Sequence, residues 1–124
     1  MDVSVNDKPN IVLVDDDAAV RAALTFAFQV DGFEVEAFGS GEEVLAAERL
    51  PDRGCLVMDQ RMPGIDGLDA LAELRARGIS LPAVLITTPT VQVQRRAAAA
   101  RVPIVEKPLM STALVDQVRR LLGR

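Results

Sequence analysis

The chain has 124 residues, enough for one domain with a substantial core. Fourteen basic residues against eighteen acidic ones give a net charge of −4, which argues against direct nucleic-acid binding. Histidine, Trp and Tyr are absent, so histidine bases, histidine metal ligands and a phosphohistidine made by this chain are excluded, and the core must be built from Val, Leu, Ile and Ala. The single Cys55 has no internal disulfide partner. No basic-then-apolar leader opens the sequence, and no apolar run is long enough to span a bilayer, so a cytoplasmic protein without a membrane role is expected.

Met1 to Pro9 is polar and without periodicity and reads as a loose tail, which leaves 10–124 as the domain. Ile11-Val12-Leu13-Val14 is a continuous apolar run, as expected of a strand covered on both faces. Three aspartates end it, and Asp17 is placed to cap a helix carrying Val20, Ala23, Leu24, Ala27 and Phe28 until Asp31-Gly32. Phe33 to Phe38 alternates around Glu34 and Glu36, the pattern of a strand near a sheet edge. Ser40 and Glu43 have capping-box spacing and open a short helix. After the turn at Pro51-Asp52-Arg53-Gly54, Cys55 to Met58 forms a buried strand that delivers Asp59 at its end. Asp66 then caps a helix with Leu68, Leu71 and Leu74, ended by Gly78. Pro82 to Ile86 is a further buried strand ending at Thr87, 90–101 reads as a short helix, and Pro103-Ile104-Val105 makes a brief strand ending near Lys107. Leu114, Val118, Leu121 and Leu122 mark the last helix. Five strands alternating with five helices predict an α/β fold, a flavodoxin-like doubly wound parallel sheet of order 2-1-3-4-5.

In that order, the polar strand ends gather at one edge, beyond the switch point between the first and third strands. Asp15 and Asp16 leave the first strand, Asp59 the third, Thr87 the fourth and Lys107 the fifth. Two carboxylates about 4 Å apart repel by roughly 4 kcal/mol at a protein-surface dielectric, so such a cluster calls for a shifted pKa or a cation. With oxygen ligands only, Mg²⁺ is the expected metal. An aspartate beside a screened divalent cation can attack phosphorus to form an acyl phosphate. Asp59 is then the nucleophile, with Lys107 and the Thr87 hydroxyl holding phosphoryl oxygens. Taken alone, Asp15-Asp16-Asp17 also fits a simple helix-start charge cluster, and Arg95-Arg96 a solvated helix face.

Four motifs in sequence carry a family resemblance: Val14-Asp15-Asp16; Met58-Asp59-Gln60-Arg61-Met62-Pro63-Gly64-Ile65-Asp66-Gly67; Thr87; and Glu106-Lys107-Pro108. With these the chain resembles the receiver domains of bacterial two-component response regulators, over Asn10 to Leu122. The resemblance implies that Asp16, Asp59 and the backbone carbonyl of Arg61 hold Mg²⁺, while Asp15 orients metal-bound water. It implies phosphoryl transfer to Asp59 from a sensor histidine kinase or a histidine phosphotransfer protein, a cis Lys107-Pro108 bond, and signalling to a downstream protein or through a homodimer. Receiver domains usually place Tyr or Phe three residues before the lysine, where this chain has Ile104. The interval from Thr87 to Lys107 is about two residues short, Thr88 and Pro89 follow the threonine, and Arg101-Val102-Pro103 replaces a usual Gly-Ala turn. These departures predict that phosphorylation is retained but read out through a rebuilt fourth-helix region, without an aromatic switch. If Arg124 is the native end, the output is a protein contact; a truncated chain would change that.

Two rival readings differ in class. A haloacid-dehalogenase-like phosphatase would use Asp15 as nucleophile, but Ala19 and the lack of a later acidic pair fit it poorly. A receiver-like module that binds partners without being phosphorylated is kept open by the altered 88–103 segment. A flavodoxin-type FMN site is excluded because the loop that would hold the phosphate is acidic.

Overall fold

Each central strand is apolar on both sides because each side faces a helical layer. The structure, a computed structural model, describes residues 9–106 and 111–123. The expected loose tail lies outside these residues except for Pro9, as do Lys107 and the Lys107-Pro108 bond. The elements run β1 (Asn10–Val14), α1 (Ala18–Val30), β2 (Glu34–Phe38), α2 (Gly41–Ala46), β3 (Gly54–Asp59), α3 (Gly67–Ala76), β4 (Ala83–Thr87), α4 (Val91–Ala100), β5 (Ile104–Glu106) and α5 (Ser111–Leu121). All pairings are parallel in the order β2-β1-β3-β4-β5, the doubly wound sheet expected.

Alternate strand residues divide the core in two. Val12, Val14, Leu56, Met58 and Leu85 meet Val44 of α2, Leu71 and Leu74 of α3 and Ala97 of α4. Ile11, Leu13, Val57, Val84 and Ile86 meet Leu24 and Phe28 of α1 and Leu114 and Val118 of α5. Cys55 belongs to this second layer, where burial pushes its thiol up to about 12, only partly offset by the Arg75 charge. It is a core thiol. Strand β2 is an edge strand whose Glu34, Glu36 and Ala37 stay exposed.

The helix starts follow the capping signals. Asp17 accepts the Ala19 and Val20 N–H groups at 2.9 and 3.2 Å, and Ser40 Oγ accepts Glu43 N–H at 3.0 Å. The returning carboxylate of Glu43 reaches the Gly39 N–H, one residue before the cap. Thr90 caps α4 through the Val93 N–H at 3.1 Å.

Three helices end in the same way. After α1, Gly32 donates to Gln29 O and Phe33 to Phe28 O, both at 3.0 Å. The Phe33 ring packs edge-on against Phe28 at 5.6 Å. Phe33 therefore closes the helix instead of opening β2, which begins at Glu34. Helix α3 repeats the pattern with Gly78 and Ile79, and α4 with Arg101 and Val102. This closure needs a left-handed residue: Gly78 has φ +90°, but in α4 the position is filled by Arg101 at φ 60°. The unusual Arg101-Val102-Pro103 turn is thus an ordinary helix ending made with a costly residue. Pro82 and Pro103 stand just outside their strands, and each carbonyl still accepts a neighbour's N–H, from Leu56 and Leu85 respectively.

Candidate functional site

The carboxyl ends of β1 and β3 are adjacent in the sheet, with Val14 opposite Met58, so the residues that follow are brought side by side. Asp15 and Asp59 are buried, at 0% and 2% exposure, whereas Asp16 faces solvent. One carboxylate oxygen from each of the three lies within 4.8 Å of the others. The Asp17 side chain is engaged instead at the start of α1, where it accepts the Ala19 and Val20 N–H groups.

Backbone contacts fix the buried pair. Asp15 Oδ1 accepts the Asp17 N–H at 2.9 Å, its own N–H donates to Phe38 O at 3.1 Å, and the Arg21 guanidinium donates to its carbonyl oxygen at 2.7 Å. Asp59 is the last residue of β3, and its Oδ1 accepts the Arg61 N–H at 3.3 Å. That contact sets the Arg61 backbone beside the carboxylate. A Cβ at Gly67 would run into the Asp59 carbonyl oxygen, so only glycine lets α3 start so near the strand end.

Thr87 ends β4 and is buried at 2% exposure. Its hydroxyl lies 3.5 Å from the Thr88 carbonyl oxygen, the outer limit of a hydrogen bond, and is poorly engaged there. The predicted residues Asp15, Asp16, Asp59, Arg61 and Thr87 thus all fall at the carboxyl edge of the sheet, on β1, β3 and β4 or the loops leaving them. Lys107 follows β5 directly in sequence but lies outside the described residues.

The acidic cluster fits a hard divalent cation. Three carboxylate oxygens within one coordination sphere's reach, two of them on buried residues, repel strongly unless a positive charge sits among them. The donors are all oxygens, and the chain contains no histidine to divert the site towards zinc.

Two residues gain a place that their sequence gave no sign of. Gln60, exposed by only 4%, uses its side-chain oxygen to accept Leu68 N–H at 2.8 Å, while its carbonyl accepts Gly67 N–H at 3.1 Å. Arg96 is not simply a solvated face of α4: its two terminal nitrogens reach Asp66 Oδ2 at 3.2 Å and Asp69 Oδ1 at 3.0 Å. These pairs are 30 and 27 residues apart, so no local pattern announces them. Burial alone would raise the Asp66 pKa, but the Asp69 N–H, the Arg96 guanidinium and the Gln60 amide together hold it below the usual carboxylate range.

Residues 11–119 match the family described as the response regulator receiver domain. The transcriptional regulatory protein FixJ of Azorhizobium caulinodans is 39% identical over 116 residues, covering 90% of this chain and 54% of that protein. The response regulator MprA of Mycobacterium leprae is 37% identical over 119 residues, covering 92% of this chain and 51% of its own length. The chain therefore spans about half the length of these relatives. Among solved structures, FixJ-N superimposes with a TM-score of 0.84 at 30% identity, covering 95% of this chain and 96% of that one. The Vibrio cholerae chemotaxis protein CheY4 superimposes equally well, at 0.84 over 93% of this chain and 99% of its own, but at 24% identity it supports the fold alone.

Proposed function

The chain belongs to the response regulator receiver domain family, and from that premise we propose that it accepts a phosphoryl group on Asp59 in a Mg²⁺-dependent phosphorelay. The observation that carries this reading is the convergence of Asp15, Asp16 and Asp59 within 4.8 Å at the ends of two adjacent strands. Asp16, Asp59 and the Arg61 carbonyl would hold Mg²⁺ directly, with Asp15 orienting its water. When bound, the ion supplies positive charge that screens the carboxylates from the incoming phosphoryl oxygens.

The donor, by membership of this family, would be a phosphohistidine on a sensor histidine kinase or a histidine phosphotransfer protein, consistent with the absence of histidine from this chain. A carboxylate oxygen of Asp59 attacks phosphorus, the new O–P bond forms, and the P–N bond breaks with its electron pair returning to the imidazole. The Thr87 hydroxyl, weakly engaged with its neighbour, is available to donate to one phosphoryl oxygen, and Lys107 neutralises another. The protein works as a cytoplasmic signalling domain and turns over only its own phosphorylation. Among the described residues, no helix is long and apolar enough to cross a membrane.

Output passes through the α4 region to a downstream protein or a second copy. Ile104 is partly buried and packs against the α2–α4 side of the core, so it serves as packing and not as a mobile aromatic. Incubation with acetyl phosphate and Mg²⁺, read by intact mass, is expected to add one phosphoryl group to the wild type and none to Asp59→Ala. Incorporation that persists in Asp59→Ala, or maps to Asp15, would overturn the assignment and favour a phosphatase-like site. No incorporation into the wild type would favour a partner-binding module.

A further inference from the structure

Helix α4 is only lightly seated. Of its ten residues, Ala97 alone is buried, and Gln60, Met62, Pro63, Thr90, Val93 and Arg96 line an open cleft between the helix and the loop after β3. A helix with so little apolar burial takes its position from the polar contacts at its rim. The Arg96 fork onto Asp66 and Asp69 is such a contact, a direct ion-paired tie between α4 and the start of α3.

The same two acids belong to the first turn of α3. Asp66 caps the helix through the Asp69 N–H at 2.8 Å. The turn they form is clamped to Gln60, which holds the next two N–H groups: Gly67 on its carbonyl and Leu68 on its side-chain oxygen. Gln60 is bonded directly to Asp59, and the peptide after it donates from Arg61 N–H to Asp59 Oδ1. A continuous polar chain therefore runs from the proposed phosphorylation site, through a buried glutamine, to the guanidinium that holds α4.

We propose that Gln60, Asp66 and Arg96 form a relay that sets the position of α4 according to the state of Asp59, with Arg96 as its ionic latch. The relay rests on the phospho-acceptor reading of Asp59. Turning that carboxylate into an acyl phosphate changes what the Arg61 N–H meets and raises the local negative charge. The Gln60–Arg61 peptide reorients, the first turn of α3 shifts with it, and the two-armed grip on Arg96 loosens. A two-armed guanidinium contact is sensitive to such a shift because both hydrogen bonds need one orientation.

The test uses ¹⁵N-labelled full chain with Mg²⁺, with and without beryllofluoride as phosphoryl mimic. In the wild type, the Arg96 Nε–H and the backbone amides of α4 should shift on adding the mimic. In Arg96→Gln, the unmodified protein should already show its α4 amides displaced by at least half of that shift, along the same direction. Gln60→Leu should still bind the mimic, seen at the Asp59 and Thr87 amides, but transmit less than half of the α4 response. The relay is overturned if unmodified Arg96→Gln keeps wild-type α4 resonances, or if Gln60→Leu responds in full. Asp69→Asn, which cuts one arm on an exposed side chain, should give an intermediate displacement; no displacement counts against the latch. Acetyl phosphate labelling of the wild type separates the two levels. Labelling with an unresponsive α4 refutes the relay alone, whereas absence of labelling refutes the phospho-acceptor reading and the relay with it.

Discussion

Asp59 and Asp15 are nearly inaccessible, yet each lies within 4.8 Å of a second and third carboxylate. Divalent cation binding should therefore stabilise the fold, by about 2.7 kcal/mol at an ion concentration near 100 times its dissociation constant. Thermal unfolding in MgCl₂ against EDTA should show a rise in Tm for the wild type that is lost in Asp16→Asn. Asp16 is exposed, so the substitution should leave the metal-free fold intact. Cys55 gives a pH prediction of the opposite kind. Its thiol is held at about 12 from an ordinary 9.0, mainly by burial. Between those values the unfolded chain loses this proton and the folded chain keeps it, so the thiol's contribution to stability is full below about pH 9 and falls as pH rises. Urea titrations from pH 8 upwards should show a slope that Cys55→Ala lacks. The native thiol should also resist alkylation until the chain unfolds.

At the level of elements, the ends of helices decide more than their middles. Arg101 occupies a left-handed position that glycine fills at the ends of α1 and α3. Arg101→Gly should therefore stabilise the protein by about 1 kcal/mol, seen as a higher urea midpoint without a change in slope. Asp66 ties its helix to both Gln60 and Arg96, and its pKa is depressed in the fold. A depressed carboxylate adds stability that is complete above its unfolded value, near pH 4, and lost as pH falls through the folded one. The stability difference between wild type and Asp66→Asn should accordingly shrink on acidification below about pH 4. Thr90→Ala removes the α4 cap, a loss of about 1 kcal/mol. Because α4 is lightly seated, the effect should show first as faster amide exchange within Val91–Ala100.

For the molecule as a whole, the sheet between two helical layers carries the stability. Phe28, fully buried and edge-on to Phe33, joins α1 to the sheet, and Phe28→Ala should cost about 3–5 kcal/mol in denaturant unfolding. The sequence by itself determined the alternation of strands and helices, the two-sided burial of the central strands and the caps at Asp17, Ser40 and Asp66, because strand periodicity and helix capping are local and read within a few residues; the order of the strands followed from the flavodoxin-like architecture that this alternation fits. It also placed Asp15, Asp59 and Thr87 along one edge of the sheet, since each ends an apolar run and parallel strands put such ends on the same side. Tertiary structure alone decided the roles of Phe33, Gln60, Arg96 and Arg101. Phe33 reads as strand but closes a helix because its ring meets Phe28. Gln60 is buried, with its side chain spent on the start of α3, a place that nothing in its neighbourhood along the chain announces. Arg96 reads as a solvated charge until folding brings two aspartates, 27 and 30 residues earlier, within reach of its planar fork. Long-range polar contacts of this kind depend on where helices come to rest on the sheet, and neither periodicity nor spacing along the chain encodes that distance.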